Sequence, residues 1–123
     1  MIKHNYIEKG EGEVLIMLHG NGLDSSYFYH QINYFSTKYR VIAVDSRGHG
    51  RTPRGDKPLT ILQFSEDLRI FMDMHDIKKA HILGFSDGAN VAIRFAIDHP
   101  ERVDKLILNG ANIKYRALRF TVR

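Results

Sequence analysis

Ala80-His81-Ile82-Leu83-Gly84-Phe85-Ser86-Asp87-Gly88-Ala89 is the stretch on which the fold turns. Ala80 to Leu83 is a short apolar run of strand character. Gly84-x-Ser86-x-Gly88 follows. Ala89, Ala92, Ile93 and Ala96 then recur at helical spacing until Pro100 marks the stop. A strand that turns directly into a helix leaves little room at the turn, and glycine suits both flanking positions because it has no side chain and tolerates strained backbone. Ser86 is thereby thrust out of the sheet at a helix N-terminus, where free N–H groups favour developing negative charge. In this context the pattern reads as a nucleophile elbow rather than an ordinary glycine-rich turn, with Ser86 as candidate catalytic serine and Gly84 and Gly88 as its elbow glycines.

Upstream, the same alternation of apolar runs and amphipathic stretches repeats. Asn5 to Lys9 reads as a short first strand, and Val14 to Leu18 and Arg40 to Val44 as strands buried on both faces. Phe28, Ile32 and Phe35 predict a helix over Ser25 to Thr37. Thr60 with Gln63 forms a capping box before the stripe Ile61, Phe64, Leu68 and Phe71, a helix ending near His75. Downstream, Lys105 to Leu108 is a last strand. Five strands alternating with helices predict an α/β fold, a mostly parallel sheet of about five strands with flanking helices.

His19-Gly20-Asn21-Gly22 closes the first buried strand. A serine nucleophile needs two backbone donors aimed at the oxyanion. The expected pair is the N–H of Asp87, next after the serine, and the N–H of Asn21 from the earlier loop. His19, Gly20 and Gly22 are candidates for lining the site, although a histidine bracing its own loop is the plainer reading of His19.

The landmarks Leu18-His19-Gly20-Asn21-Gly22, Asp45-Ser46-Arg47-Gly48-His49-Gly50-Arg51-Thr52, Gly84 to Ala89 and His99-Pro100-Glu101-Arg102-Val103 occur in this order. Together they resemble the α/β-hydrolase superfamily over nearly the whole chain through Asn112. The resemblance implies a truncated α/β-hydrolase fold and an esterase-like serine hydrolase of small acyl compounds, with no metal and no organic cofactor. It further implies an acid and a histidine after Ser86, and the sequence stops before either. His99 lies about thirteen residues along the same helix, roughly 20 Å away, Asp98 shares that objection, and Asn109 carries no carboxylate. His49 belongs to a turn and His81 starts a strand, while His4, His30 and His75 read as surface residues. None of the seven histidines has the short paired spacing of a metal site.

The chain has 123 residues, enough for one small core. Residues 1–113 are expected to form a partial hydrolase domain and 114–123 a basic tail. Lys114, Arg116, Arg119 and Arg123 carry the whole net charge of +4, since the other 14 Lys and Arg balance 14 Asp and Glu. A solvated terminus is expected, with neither nucleic acid nor membrane as partner. No cysteine is present, which suits a reducing, cytoplasmic setting. The competing function is a non-catalytic binding or assembly module on the same scaffold, self-associating through the open edge strand 105–108. A third reading makes His19, or a partner chain's histidine, the base for Ser86.

Overall fold

The computed structural model describes residues 2–110. The basic tail at 114–123 lies outside the described residues. The elements run β1 (Tyr6–Lys9), β2 (Val14–Leu18), a 3-10 turn (Ser25–Phe28), α1 (Tyr29–Phe35), β3 (Arg40–Val44), α2 (Ile61–Met74), β4 (Ala80–Phe85), α3 (Asp87–Asp98), a second 3-10 turn (Pro100–Arg102) and β5 (Val103–Asn109). They form one sheet in the order β1-β3-β2-β4-β5, with β1 antiparallel to β3 and the other pairs parallel.

Alternate residues of β2, β3 and β4 face two different cores. Ile16, Leu18, Ile42, Val44 and Ile82 point toward α2 and α3, where Leu68, Phe71, Val91, Ala92 and Phe95 meet them. Leu15, Met17, Val41 and Ala43 point to the other face, covered by Phe28 and Ile32. From β2 the chain goes one way in the sheet to β3 and then returns past β2 to β4. Right-handed crossovers therefore put α1 on one face and α2 and α3 on the other. The carboxyl end of β2 is the topological switch point, where a crevice opens in sheets of this kind.

Local structure departs from the sequence expectations in four places. The segment from Ser25 to Thr37 is a 3-10 turn followed by a helix of seven residues, because Asp24 caps the Ser26 N–H and starts the turn. Only half of the capping box forms. The Thr60 hydroxyl accepts from the Gln63 N–H at 3.0 Å, whereas the Gln63 amide donates to Asp67 at 2.9 Å. β4 and β5 are each longer than expected, ending at Phe85 and Asn109. His4 and His75 are half-buried rather than surface residues, because both pack against the Phe71 ring, at 6.0 and 4.2 Å between centroids. Burial pushes the His4 imidazole below the usual histidine value, and Arg47 and His75 push the same way against the pull of Asp67.

Two buried carboxylates anchor the long β3–α2 connection. Asp67 on α2 takes Arg47 in a bidentate grip, both contacts at 2.9 Å. Both side chains are nearly solvent-free, and Arg47 also donates to the Arg54 carbonyl at 3.0 Å. Asp45 accepts the Ser25 N–H at 2.7 Å, the Arg51 N–H at 3.0 Å and the Asn5 amide at 2.8 Å. Burial alone would raise the Asp45 pKa, but these donors outweigh it and hold the carboxyl below its ordinary range. A carboxylate whose folded pKa lies lower adds stability that is complete above the unfolded value of about 3.9. That share is lost as pH falls through the folded value. Asp45→Asn is expected to cost about 1–3 kcal/mol near neutral pH, because an amide cannot accept from all three donors. It should also flatten the acid limb of stability below about pH 4, as read by urea melts at several pH values.

The first turn of α3 lies directly on the end of β2. A Cβ built at Gly88 would stand 2.1 Å from the Leu18 carbonyl oxygen and 2.7 Å from that of His19. One built at Gly84 would meet the Gly88 carbonyl oxygen at 2.4 Å. These obstacles are backbone atoms that cannot swing aside. Gly88→Ala is therefore expected to destabilise the fold by about 3 kcal/mol or more, read from the urea midpoint.

Candidate active site

Ser86 is the single residue between β4 and α3, with φ +56° and ψ −119°. Among the described non-glycine residues only Asp76 shares a positive φ. Such a conformation costs of order 1–3 kcal/mol and persists only where the surroundings enforce it. The enforcement is visible here. The Ser86 N–H donates to the Asn109 carbonyl at 2.8 Å, and the Ser86 carbonyl accepts from Ala89 at 2.9 Å and Asn90 at 3.3 Å. The side chain is left at the crest of the turn, half-buried, facing Gly20. A Cβ at Gly20 would come within 3.1 Å of the Ser86 Cβ.

The loop after β2 brings Gly20, Asn21 and Gly22 to the same edge. Among the described residues, no acceptor engages the N–H of Asn21 or of Asp87. Both donors are thus unengaged. The Asp87 carboxylate turns along the helix, where the Asn90 amide reaches it at 3.4 Å. A small cavity of about 20 Å³ lies between these loops, room for a single water. It is lined by His19, Gly20, Asn21, Ser46, His49, Phe64, Asp87, Gly88 and Val91. The larger clefts, of about 360 and 300 Å³, lie along α2 and the N-terminal arm and share no residue with this cavity.

His19 is almost fully buried, and both ring nitrogens are committed. Nδ1 lies 2.8 Å from the Gly20 carbonyl, which can only accept, so Nδ1 carries the proton. Nε2 accepts the Ser46 N–H at 3.0 Å. Burial lowers the His19 pKa, with the neighbouring His49 adding to the effect and the Gly20 carbonyl opposing it. The ring is a neutral brace tying the β2 loop to the β3 loop.

His49 sits in the turn after β3, with its Nε2 within 3.4 Å of the Asn21 amide oxygen and its ring 5.1 Å from His19. Phe64 and Val91 also border the cavity. The apolar stripe of its helix accounts for Phe64 in the sequence, and no local pattern marks Val91. Of the remaining histidines, His99 caps the far end of α3, His30 is exposed on α1, and His81 is buried at the opposite end of β4. Among the described residues no imidazole hydrogen-bonds to Ser86. The structure sets Ser86 against Gly20 and gathers His19, Gly20, Asn21, Asp87 and Gly88 around the cavity with His49, Phe64 and Val91, whereas Ser86, Gly84 and Gly22 do not line it.

Residues 13–119 match the family model of the alpha/beta hydrolase fold. The chain is 32% identical to the (E)-2-((N-methylformamido)methylene)succinate hydrolase of Acinetobacter baylyi, over 96% of its own length and 45% of the relative's. It is 38% identical to the 2-hydroxy-6-oxo-6-phenylhexa-2,4-dienoate hydrolase of Comamonas testosteroni, over 86% and 39%. Among solved structures it resembles a meta-cleavage product hydrolase from Pseudomonas fluorescens, with a TM-score of 0.86 at 35% identity, over 89% of this chain and 42% of that one. An esterase from a marine microorganism superposes with a TM-score of 0.84 at 32% identity, over 88% and 41%. The chain spans less than half the length of these relatives. Its five-stranded, mostly parallel sheet with flanking helices and its sequence agree: the chain belongs to the α/β-hydrolase fold family.

Proposed function

We propose that the chain is the serine-bearing part of an esterase-like hydrolase of small acyl compounds. Ser86 is the nucleophile, and the Asn21 and Asp87 N–H groups form its oxyanion hole. The observation that carries this reading is the pairing of an enforced, strained serine with two unengaged backbone donors at the switch point of the sheet. Strain of this kind concentrates at functional positions. Each donor of an oxyanion hole is worth about 3–4 kcal/mol of barrier lowering. Gly20 permits the β2 loop to approach the serine, and His19 holds that loop in place. That the relatives reported above are named hydrolases and an esterase supports a hydrolytic reading. No organic cofactor enters it. Among the described residues no helix is long and apolar enough to cross a membrane, and the cysteine-free composition suits a cytoplasmic setting.

Serine is a weak nucleophile without a base. His19 does not serve, because its Nε2 lone pair is taken by Ser46. Intact-mass labelling with a fluorophosphonate tests both statements. The wild-type chain should acquire one adduct slowly and faster with added imidazole, and Ser86→Ala none. His19→Gln should label within about tenfold of wild type, since it loses only a brace. Equal labelling of Ser86→Ala would remove the serine from its role. A His19→Gln rate as low as that of Ser86→Ala would make His19 the base after all.

A second reading, a non-catalytic assembly module, is favoured by one observation. Among the described residues β5 pairs on one side alone, and Ile107 is 44% exposed. Under that reading two copies join through β5. Sedimentation velocity would then show a dimer that Ile107→Lys dissociates, together with no labelling of the folded wild type. A labelled monomer rejects it.

A further inference from the structure

The amino-terminal edge of the sheet, opposite Ser86, holds a second cluster of chemistry. Glu13 immediately precedes β2, His81 is the second residue of β4, and Asp104 is the second residue of β5. Parallel pairing brings them together, with Leu15 level with His81 and Ala80 level with Val103. His81 Nε2 stands 3.1 Å from a Glu13 carboxylate oxygen and 3.8 Å from one of Asp104. The donor atoms of all three residues lie within 4.8 Å of one another.

Three observations set this cluster apart from a chance surface pair. The His81 side chain is 8% exposed, so the imidazole is a fixed donor at the base of the cluster, with the Tyr39 ring packed edge-on at 5.6 Å. The pairing of β4 with β5 is irregular at this point. β4 advances two residues from Ala80 to Ile82 while β5 advances three from Val103 to Leu106. Bulges of this kind re-aim side chains, and this one falls beside Asp104. Finally, among the described residues neither carboxylate has a lysine or arginine partner; the imidazole is the one basic group each meets. Two carboxylates facing one imidazole leave net negative charge.

We propose that Glu13, His81 and Asp104 form a divalent-cation site of the zinc class that ties β2, β4 and β5 together at the edge away from Ser86. Zinc takes nitrogen at about 2.0–2.1 Å and carboxylate oxygen at about 2.0–2.2 Å in tetrahedral array, so its ligand atoms stand about 3.3–3.4 Å apart. The separations of 3.1 and 3.8 Å bracket that value. One imidazole with two carboxylates suits zinc better than magnesium or calcium, which favour all-oxygen shells. The exposed carboxylates give the ion a way in, and solvent supplies the fourth ligand. His81 Nδ1 has no hydrogen-bond partner. Such a partner ordinarily orients a ligating ring, and its loss weakens binding about 10–100-fold. The affinity expected is therefore micromolar rather than nanomolar. The role is a structural strap, independent of the reading of Ser86. Sequence spacing gave no sign of it because positions 13, 81 and 104 meet only through sheet register.

The test is calorimetric titration of zinc chloride into the chain of residues 1–123, with cobalt(II) absorption as a second readout. One equivalent should bind, and zinc should raise the melting temperature. His81→Gln should abolish that binding. Glu13→Gln and Asp104→Asn, at exposed positions that leave the core intact, should each weaken it at least tenfold and remove the thermal shift. No binding at millimolar zinc overturns the proposal. So does binding that stays within twofold of wild type in folded Glu13→Gln and Asp104→Asn, which would place zinc on other histidines.

Discussion

The rest of the site depends on how closely the first turn of α3 sits on the end of β2. Gly88 lies over the Leu18 and His19 carbonyls with no space for a methyl group, and Gly84 lies under the Gly88 carbonyl in the same way. A helix this low must begin the instant the strand ends, and one residue has to absorb the change of direction. Ser86 does so at φ +56°. Its N–H is spent on the Asn109 carbonyl, which fixes the turn against β5. The following N–H, on Asp87, begins the helix with no acceptor among the described residues. Strain, exposure of the serine and the available donor are thus three consequences of one close approach.

Around that turn, the loops from β2 and β3 are held by groups aimed at backbone. Asp45 collects N–H groups from Ser25 and Arg51 and the amide of Asn5, drawing three separate segments to the end of β3. His19 joins the carbonyl of its own loop to the N–H of Ser46 in the next. Their pKa values fall for different reasons. Burial opposes the charged form of both, but Asp45 faces donors and remains ionised, whereas His19 faces one acceptor and one donor and remains neutral. Each group is thereby kept in the protonation state that its bonding pattern needs, and the β2 loop stays fixed against the serine.

What could be read from the sequence was what backbone geometry dictates. A sharp strand–helix junction demands glycines at fixed offsets, so Gly84, Ser86 and Gly88 announced the turn. Continuous apolar runs marked β2 and β3, because both faces of those strands are buried. Contacts between side chains from separate elements were not legible. His49 reaches Asn21 across 28 positions, and Phe64 and Val91 approach the cavity from two different helices. Each of these residues is explained locally by a turn or an apolar stripe. The packing of His4 and His75 is hidden from the sequence for the same reason, since nothing local to either reveals that Phe71 lies beside both.

This division bears on chemistry. Under the proposed roles, hydrolysis has two requirements, stabilising the oxyanion and moving the serine proton. The first rests on backbone N–H groups, whose direction follows from the turn itself, and is worth about 3–4 kcal/mol per donor. The second is worth a factor of about 10²–10⁴, or roughly 3–5 kcal/mol, and needs a lone pair within hydrogen-bond reach of Ser86. The candidate read from the sequence, His19, has spent both nitrogens on loop geometry. Freeing Nε2 for proton transfer would release Ser46 and loosen the loop that carries the Asn21 donor. For His19 the two requirements compete for one imidazole, and the structure has given it to the geometry. Under the proposed roles, the base for Ser86 is therefore a group other than His19.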